Sequence, residues 1–410
     1  MKMRLRTIKK RNDFYSLVFQ ALNLLIQGNE SDLLIFNIWG APGSGKSYVL
    51  NEIKNKAKNM EKVKVFGPID VSEHKLKLLD DTLSEVNNAG MHYTKLILLD
   101  NLKSVINTGQ EDAFIYDVED SLVSPVISNG NTIVVITSLH EIKQWRSMEV
   151  RMRHKTILIP SLDTNVFKTS IKIANLNYAT TYKKTLGHPK LLNWLIENPD
   201  LGDEEIDKRA IDFFLNGLEP ETKKIAQVMS LSNSFNIPAY QKALEVMGLR
   251  VENSYFNDLK KIKEMGSIGL VIYESNNGMY RFSDPILREV LARAFRQEFP
   301  DLAAKVYHAL AELSIYEAQF ANALPSHLLN AIYQQLWNSK LNGFSYSQWL
   351  DGWFSPNNDI WKDINWNDID RVVSKNASSK YILDEIKKLA GPEIYKKIIL
   401  KIRPIRRIKK

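Results

Sequence analysis

Residues 40–47 read Gly-Ala-Pro-Gly-Ser-Gly-Lys-Ser, and no other run constrains the chain as tightly. It matches G-x-x-x-x-G-K-[S/T] in full. Glycines let such a loop wrap tightly enough for its backbone N–H groups to converge on phosphate oxygens. Lys46 then supplies a cation for the β- and γ-phosphates, and the Ser47 hydroxyl a ligand for Mg²⁺. The residues expected to contact nucleotide are Gly40, Ala41, Pro42, Gly43, Ser44, Gly45, Lys46, Ser47 and the adjoining Tyr48. An apolar run, residues 33–39, stops at Gly40, and a polar, helix-length stretch follows Lys46. The motif therefore predicts a strand–loop–helix unit, with the positive end of the helix aimed at the phosphates of ATP or ADP.

Four more short apolar runs, at 62–66, 95–100, 131–137 and 156–160, alternate with helix-length stretches at 46–60, 73–89, 113–128 and 140–150. Strands alternating with helices predict an α/β P-loop ATPase domain with a mainly parallel sheet over 15–162, after a basic segment at 1–14. Past Pro160 the strand runs stop. Residues 163–217 carry apolar positions at helical spacing, with Asp163 and Asp203 as candidate caps, and predict a helical lid. Over 218–298 helices are expected near 220–231, 237–248 and 254–265. Two β-type runs follow, Ile268–Tyr273 and Met279–Phe282, joined through Asn276-Asn277-Gly278, a strong hairpin turn signal. Three helices and a hairpin make a winged-helix pattern, closed by a helix from Asp284 or Pro285 to about Gln297. Residues 299–395 read as a helical C-terminal region, and 396–410 as a basic tail. Five of the eight Trp fall between Trp337 and Trp366, as an aromatic core or as a partner-docking face.

Lys95–Asp100 is an apolar strand ending in a carboxylate, about fifty residues after the phosphate loop. That is the Walker B pattern, in which Asp100 holds Mg²⁺ through water. The next residue is Asn101, where many such ATPases carry an acid that activates water, so slow hydrolysis is expected. Thr137 and Ser138 end the 131–137 run and offer hydroxyls to sense the γ-phosphate. Arg146, Arg151 and Arg153 precede the last strand run, and Arg151 and Arg153 are candidates to reach a neighbouring subunit's nucleotide.

The formal charge of +8 is unevenly spread. Residues 1–11 hold six Lys/Arg and residues 396–410 hold eight, with no acid in either, so the rest of the chain is near −6. Basic ends of this kind solvate the protein or touch nucleic acid, acidic proteins or anionic lipid. There is no Cys, which excludes disulfide scaffolds, Cys-ligated zinc, iron–sulfur clusters and thiol catalysis. No apolar stretch reaches membrane-spanning length and the N-terminus lacks a secretory core, so a cytoplasmic protein is expected.

With these motifs in this order, residues 8–310 resemble the AAA+ superfamily, and most of all its STAND class, which includes NB-ARC-like proteins. Arg11-Asn12-Asp13 resembles the segment that packs near adenine. Gly187-His188-Pro189-Lys190-Leu191-Leu192 resembles the lid motif whose proline, here Pro189, lies near the base. Arg281-Phe282-Ser283-Asp284 sits where the class carries a His that contacts the ADP β-phosphate, and Ser283 replaces that His. Leu139 stands where many members carry a sensor Arg. The resemblance implies a nucleotide-dependent switch in signalling, regulation or defence, a homo-oligomer in the ATP state and a protein effector acting in trans. The alternative is a DNA-binding AAA+ ATPase of origin-recognition or transposition-regulator type, holding nucleic acid through the winged helix or the basic tails. The tails favour it, whereas residues 252–264, the recognition-helix candidate, carry no net charge. A static, ATP-holding scaffold is the third reading.

Overall fold

The computed structural model describes residues 10–72, 76–102, 113–128, 131–142, 145–160, 162–249, 255–274, 278–318, 325–353 and 377–402. The chain divides into two compact units, residues 1–210 with 263–270, and residues 211–262 with 271–410.

The first unit is built on five parallel strands, β1 (Ile35–Trp39), β2 (Val63–Asp70), β3 (Thr94–Leu102), β4 (Thr132–Ser138) and β5 (His154–Leu158), in the order β2-β3-β4-β1-β5. Every residue of β1 and β4 is buried, which is why both read as continuous apolar runs rather than alternating ones. The one polar side chain inside β1, Asn37, is fully used. Its Nδ2 donates to Ser138 Oγ at 2.8 Å, and its Oδ1 accepts from the Ile142 N–H and the Thr156 hydroxyl, each at 3.1 Å. A buried amide costs stability unless it is satisfied, and this one joins β1, β4, β5 and the segment after β4.

Helices cover both faces. The first, α1 (Arg11–Ile26), buries Phe14, Val18, Leu22 and Leu25. It is followed in chain order by α2 (Lys46–Ala57), α3 (Leu76–Asn87), α4 (Ala113–Val118) and α5 (Ser124–Ser128), the last two joined by a π-helical turn, Glu119–Val123. The stretch 140–150 departs from expectation. Among its described residues only those of α6 (Met148–Met152) are helical, and residues 145–147 are irregular. Glu119 supplies the reason: its carboxylate accepts the N–H of Arg146 at 2.8 Å and of Ser147 at 2.7 Å. Those donors are thereby withdrawn from any helix.

Beyond β5 lie α7 (Thr164–Ile173), α8 (Tyr178–Thr185), α9 (Pro189–Glu197) and α10 (Asp203–Phe214). Phe167, Ile171 and Leu192 form a small core. Side chains start the helices: Asp163 accepts from the Asn165 N–H at 2.8 Å, Asn177 from Thr180 at 3.0 Å, and His188 Nδ1 from Lys190 at 3.2 Å.

The second unit carries α11 (Pro220–Met229), α12 (Ile237–Val246), part of α13 (Tyr255–Ser267), and the antiparallel pair β6 (Val271–Glu274) and β7 (Met279–Phe282). The hairpin begins later than expected, because α13 runs on to Ser267. Asn276 and Asn277 lie outside the described residues. Helices α14 (Pro285–Glu298), α15 (Pro300–Ala318), α16 (Pro325–Leu341), α17 (Tyr346–Trp353) and α18 (Ala377–Ile402) follow, the last broken at Gly391–Pro392. Trp361, Trp366 and the tail beyond 402 also lie outside the described residues. In the core of this unit Glu289 bridges two buried arginines, Arg288 at 3.2 Å and Arg296 at 2.5 Å, while Tyr307 accepts from Arg296 at 3.0 Å. Burial alone would raise the Glu289 carboxyl, but Arg296 and Arg288 hold it below the usual carboxylate range. Among the described residues no helix is long and apolar enough to cross a membrane.

A pH response follows for the first unit. His154 stacks edge-on against Trp145, 5.5 Å between centroids, with its Nε2 buried and unpartnered. Burial, with Lys155 adding to it, lowers its pKa from 6.5 to about 4. The unfolded chain therefore takes up this proton before the folded one does, and stability falls as pH drops from about 6.5 to about 4. His154→Phe is expected to flatten that dependence, as read from urea midpoints across this range.

Candidate nucleotide-binding site

Strand β1 ends at Trp39 and the chain turns at once into the 40–45 loop, which feeds α2. Gly45 is the N-cap, with φ of 90°, and Gly43 has φ of 72°. A side chain at either position would be strained, and its neighbour would have to give way. A Cβ on Gly43 would lie 2.9 Å from Lys190 Cβ, and one on Gly45 3.0 Å from the Arg11 guanidinium. The loop is pinned from within by the Ser44 hydroxyl, which donates to the Ala41 carbonyl at 2.8 Å. The Lys46 ammonium is buried in the loop and donates to the carbonyls of Gly40 at 2.7 Å and Ala41 at 2.9 Å.

Arg11, the first residue of α1, reaches the same place. It donates through Nε to the Pro160 carbonyl at 3.1 Å and through Nη2 to the Ser44 carbonyl at 2.6 Å. One buried guanidinium thus ties the phosphate loop to the chain leaving β5. On the other side the start of α9 comes close, His188 Cε1 being 3.3 Å from the Gly43 Cβ position.

Between these elements lies a cleft of about 560 Å³. It brings together, of the expected residues, Arg11, Pro42, Gly43, Gly45, Lys46, Ser47, Tyr48, Asn101 and Pro189. Gly40, Ala41 and Ser44 belong to the loop beneath it. Sequence reasoning missed Val166 and Ser170, one turn apart on α7, and Lys190 and Asn193 on α9. Adjacency to Pro189 was the available signal for Lys190; the α7 pair carried none.

Asp100 lies near the end of β3, next to Asn101. Its Oδ1 accepts the Thr137 hydroxyl and, at 3.0 Å, the Asn101 N–H, which also lies 3.0 Å from Thr137 Oγ1. Asn101 has φ of 60°, a left-handed conformation that Asn tolerates better than most residues. Thr137 and Ser138 are both buried, the first directed at Asp100 and the second at the His140 carbonyl, 2.5 Å away. Arg151 donates to the Trp145 carbonyl, and Arg153 pairs with Glu149 at 3.5 Å. The Arg153 carbonyl accepts from the N–H groups of Leu34 and Ile35, at the start of β1. The phosphate loop leaves the other end of that strand, about 13 Å away at the usual strand rise. Arg153 therefore does not serve this chain's own cleft. Ser283 belongs to the second unit, where it is buried.

The residues fit a magnesium nucleotide. Two left-handed glycines and a buried lysine form an anion cradle at a helix N-terminus. Among the described residues no three His, Asp or Glu gather to hold a metal unaided. Ser47 and Asp100 offer isolated oxygens, which suits Mg²⁺ that keeps water and phosphate in its shell.

No model of a known protein family matches the chain. An uncharacterized protein of Haemophilus influenzae is 26% identical over 115 residues, 28% of this chain. The match spans 45% of that relative, less than half its length. Similar solved structures include the ORC2 protein of Aeropyrum pernix in ADPNP and ADP complexes, at 15% identity and a TM-score of 0.35, covering 73% of this chain and 97% of that one. The ORC1 protein of Aeropyrum pernix in complex with DNA is 12% identical, with a TM-score of 0.34 and coverage of 72% and 94%. AMPPCP-bound DnaA from Aquifex aeolicus is 16% identical, with a TM-score of 0.31 and coverage of 75% and 94%. At such identities and TM-scores these likenesses say nothing of this chain's partners.

Because Arg11 braces the loop through Ser44, Arg11→Met is expected to weaken ATP affinity about ten-fold, the loss of a charge-assisted hydrogen bond. Titration with a fluorescent ATP analogue, with circular dichroism to check folding, measures it.

Proposed function

We propose that the chain is an AAA+-type P-loop ATPase that holds Mg²⁺–ATP in the cleft of its first unit and uses its nucleotide state to control association with nucleic acid. The convergence of Gly43, Gly45, Lys46, Ser47, Arg11 and Pro189 on one cleft of about 560 Å³ supports the ATP half. In this reading the loop N–H groups and Lys46 bind the phosphates, Ser47 and Asp100 serve the metal, and Pro189 and Tyr48 flank the base. Mg²⁺, when bound, would neutralise charge on the phosphates. Thr137 keeps Asp100 aimed.

Nucleic-acid control is preferred to an ADP-locked STAND switch for two reasons. Ser283 stands where that switch needs a histidine, and the two chain ends together carry 14 basic residues and no acid. Excess positive charge is what phosphate contacts require. The STAND-like switch, with self-assembly and an effector in trans, is retained as the second reading, because the His188-Pro189 turn lies against Gly43 as a lid motif should. Fluorescence anisotropy with duplex DNA, at two salt concentrations and with ADP or a non-hydrolysable ATP analogue, separates them. Nucleotide-dependent, salt-steep binding supports the first reading. No DNA binding, with a nucleotide-dependent change of size in solution scattering, supports the second.

Lys46→Ala is expected to abolish tight ATP binding while leaving the fold intact, as followed by calorimetric titration; unchanged affinity removes the basis for either reading.

Turnover is expected to be slow. The Asn101 amide lines the cleft and can orient a water, but it cannot take its proton near neutral pH. General-base assistance is worth about 10²–10⁴-fold. Asn101→Glu should raise phosphate release within that range at unchanged ATP affinity, and a decrease would make Asn101 itself the water-positioning group.

A further inference from the structure

The helices after β5 carry a surface that the nucleotide cleft does not use. Helix α7 presents three sides. Val166 and Ser170 line the cleft, Phe167 and Ile171 are buried in the small core, and Lys168 and Lys172 are exposed. On α8, Tyr178 and Tyr182 stand one turn apart. Their rings are nearly parallel, with 11° between planes and 6.0 Å between centroids. Both meet Phe167 edge-on, at 5.9 Å and 5.8 Å, so one buried ring holds the two phenols in place. Even so, Tyr178 is 41% exposed and Tyr182 47%. Two large rings fixed by a core residue and still open to water form a preset stacking surface, with little side-chain freedom left to lose on binding.

The charge around the rings selects what stacks there. The Lys168 ammonium lies over the Tyr178 ring, 5.8 Å from its centroid. Residues 164–185 hold four Lys and no acid, in a chain whose body between the basic ends is net negative. Lys183 and Lys184 lie 3.5 Å and 3.8 Å from Asp203, whereas among the described residues Lys168 and Lys172 pair with no carboxylate. An aromatic pair edged by uncompensated cations suits a partner that has flat, uncharged rings on an anionic backbone. Single-stranded nucleic acid has both. A duplex offers only its phosphates here, because its bases are stacked on one another. An acidic peptide would meet the lysines and leave the tyrosines unused.

We propose that the α7–α8 surface binds single-stranded nucleic acid, with unpaired bases stacking on Tyr178 and Tyr182 and the phosphates of the strand meeting Lys168 and Lys172. This rests on the reading that the chain meets nucleic acid, and adds to it the surface and the state of the strand.

The test is fluorescence anisotropy on the full chain, with a labelled oligothymidylate and a labelled duplex of equal length. Tyr178→Ala with Tyr182→Ala should weaken oligothymidylate binding about ten-fold or more, the scale of base–aromatic stacking, and leave duplex binding unchanged. Circular dichroism checks folding, and Tyr178→Ala alone replaces the pair if the pair folds poorly. Tyr178→Phe with Tyr182→Phe keeps the rings and should bind as the unaltered chain does. Lys168→Gln with Lys172→Gln should lower the slope of log affinity against log salt by about 1.4, about 0.7 for each phosphate contact on a single strand. The proposal is overturned if oligothymidylate does not bind, if its binding ignores either the Ala or the Gln substitutions, or if labelled polyglutamate binds as tightly. Duplex binding that responds to nucleotide, without single-strand binding, overturns this proposal alone. Single-strand binding through Tyr178 and Tyr182 that is the same with ADP and with an ATP analogue overturns the nucleotide control alone.

Discussion

The first unit depends on one buried amide. Asn37 sits three residues before the phosphate loop, inside a strand that is otherwise apolar, and its hydrogen bonds reach β4, β5 and the segment after β4. A β-strand held only by its ladder and by packing could shift slightly against its neighbours. A side chain bonded to three of them in a dry interior cannot shift without breaking a bond that water will not replace. The register Trp39↔Ser138 and Trp39↔Leu158 follows, and with it the point where the chain turns into the loop. Arg11 and the start of α9 then close on a loop whose origin is already fixed.

The second unit is held by different means. Its core contains two arginines, a glutamate and two tyrosines in one buried network. Such a group adds little net stability compared with well-packed apolar residues, but losing one member leaves a charge stranded. Arg296 also lies flat against Trp337, 3.8 Å from the ring centroid, and Trp337 stacks on Tyr307 at 5.9 Å. At least this part of the aromatic-rich C-terminal region is therefore packed in the core.

Much of the first unit was legible in the sequence, because fully buried parallel strands and glycine-rich phosphate loops leave direct marks on residue choice. Runs such as Leu96–Leu99 and Ile133–Ile136 have few other uses in a polar chain. The segment 140–150 was not legible as irregular, because the cause lies about twenty-five residues earlier, in Glu119. The hydrogen bonds of Thr137 and Ser138 were not legible for a similar reason. A strand-end hydroxyl looks the same in sequence whether it faces a ligand or a neighbouring carboxylate. Asn101 carried a second message, its left-handed backbone, which its missing acidity obscured.

Glu119 bonds to the backbone of residues 146 and 147, not to their side chains. That choice separates the shape of the segment from its chemistry. Residue 146 could exchange its guanidinium for almost any non-proline side chain, and 147 could do the same at the cost of one helix cap, without loosening the path of the chain. The surface that carries Arg146 and Met148 is thus free to drift under selection for whatever meets it, whereas Arg151, whose side chain donates to the Trp145 carbonyl, is not. The carboxylate beneath has no such latitude, since even Asp would fall a methylene short of two donors at once.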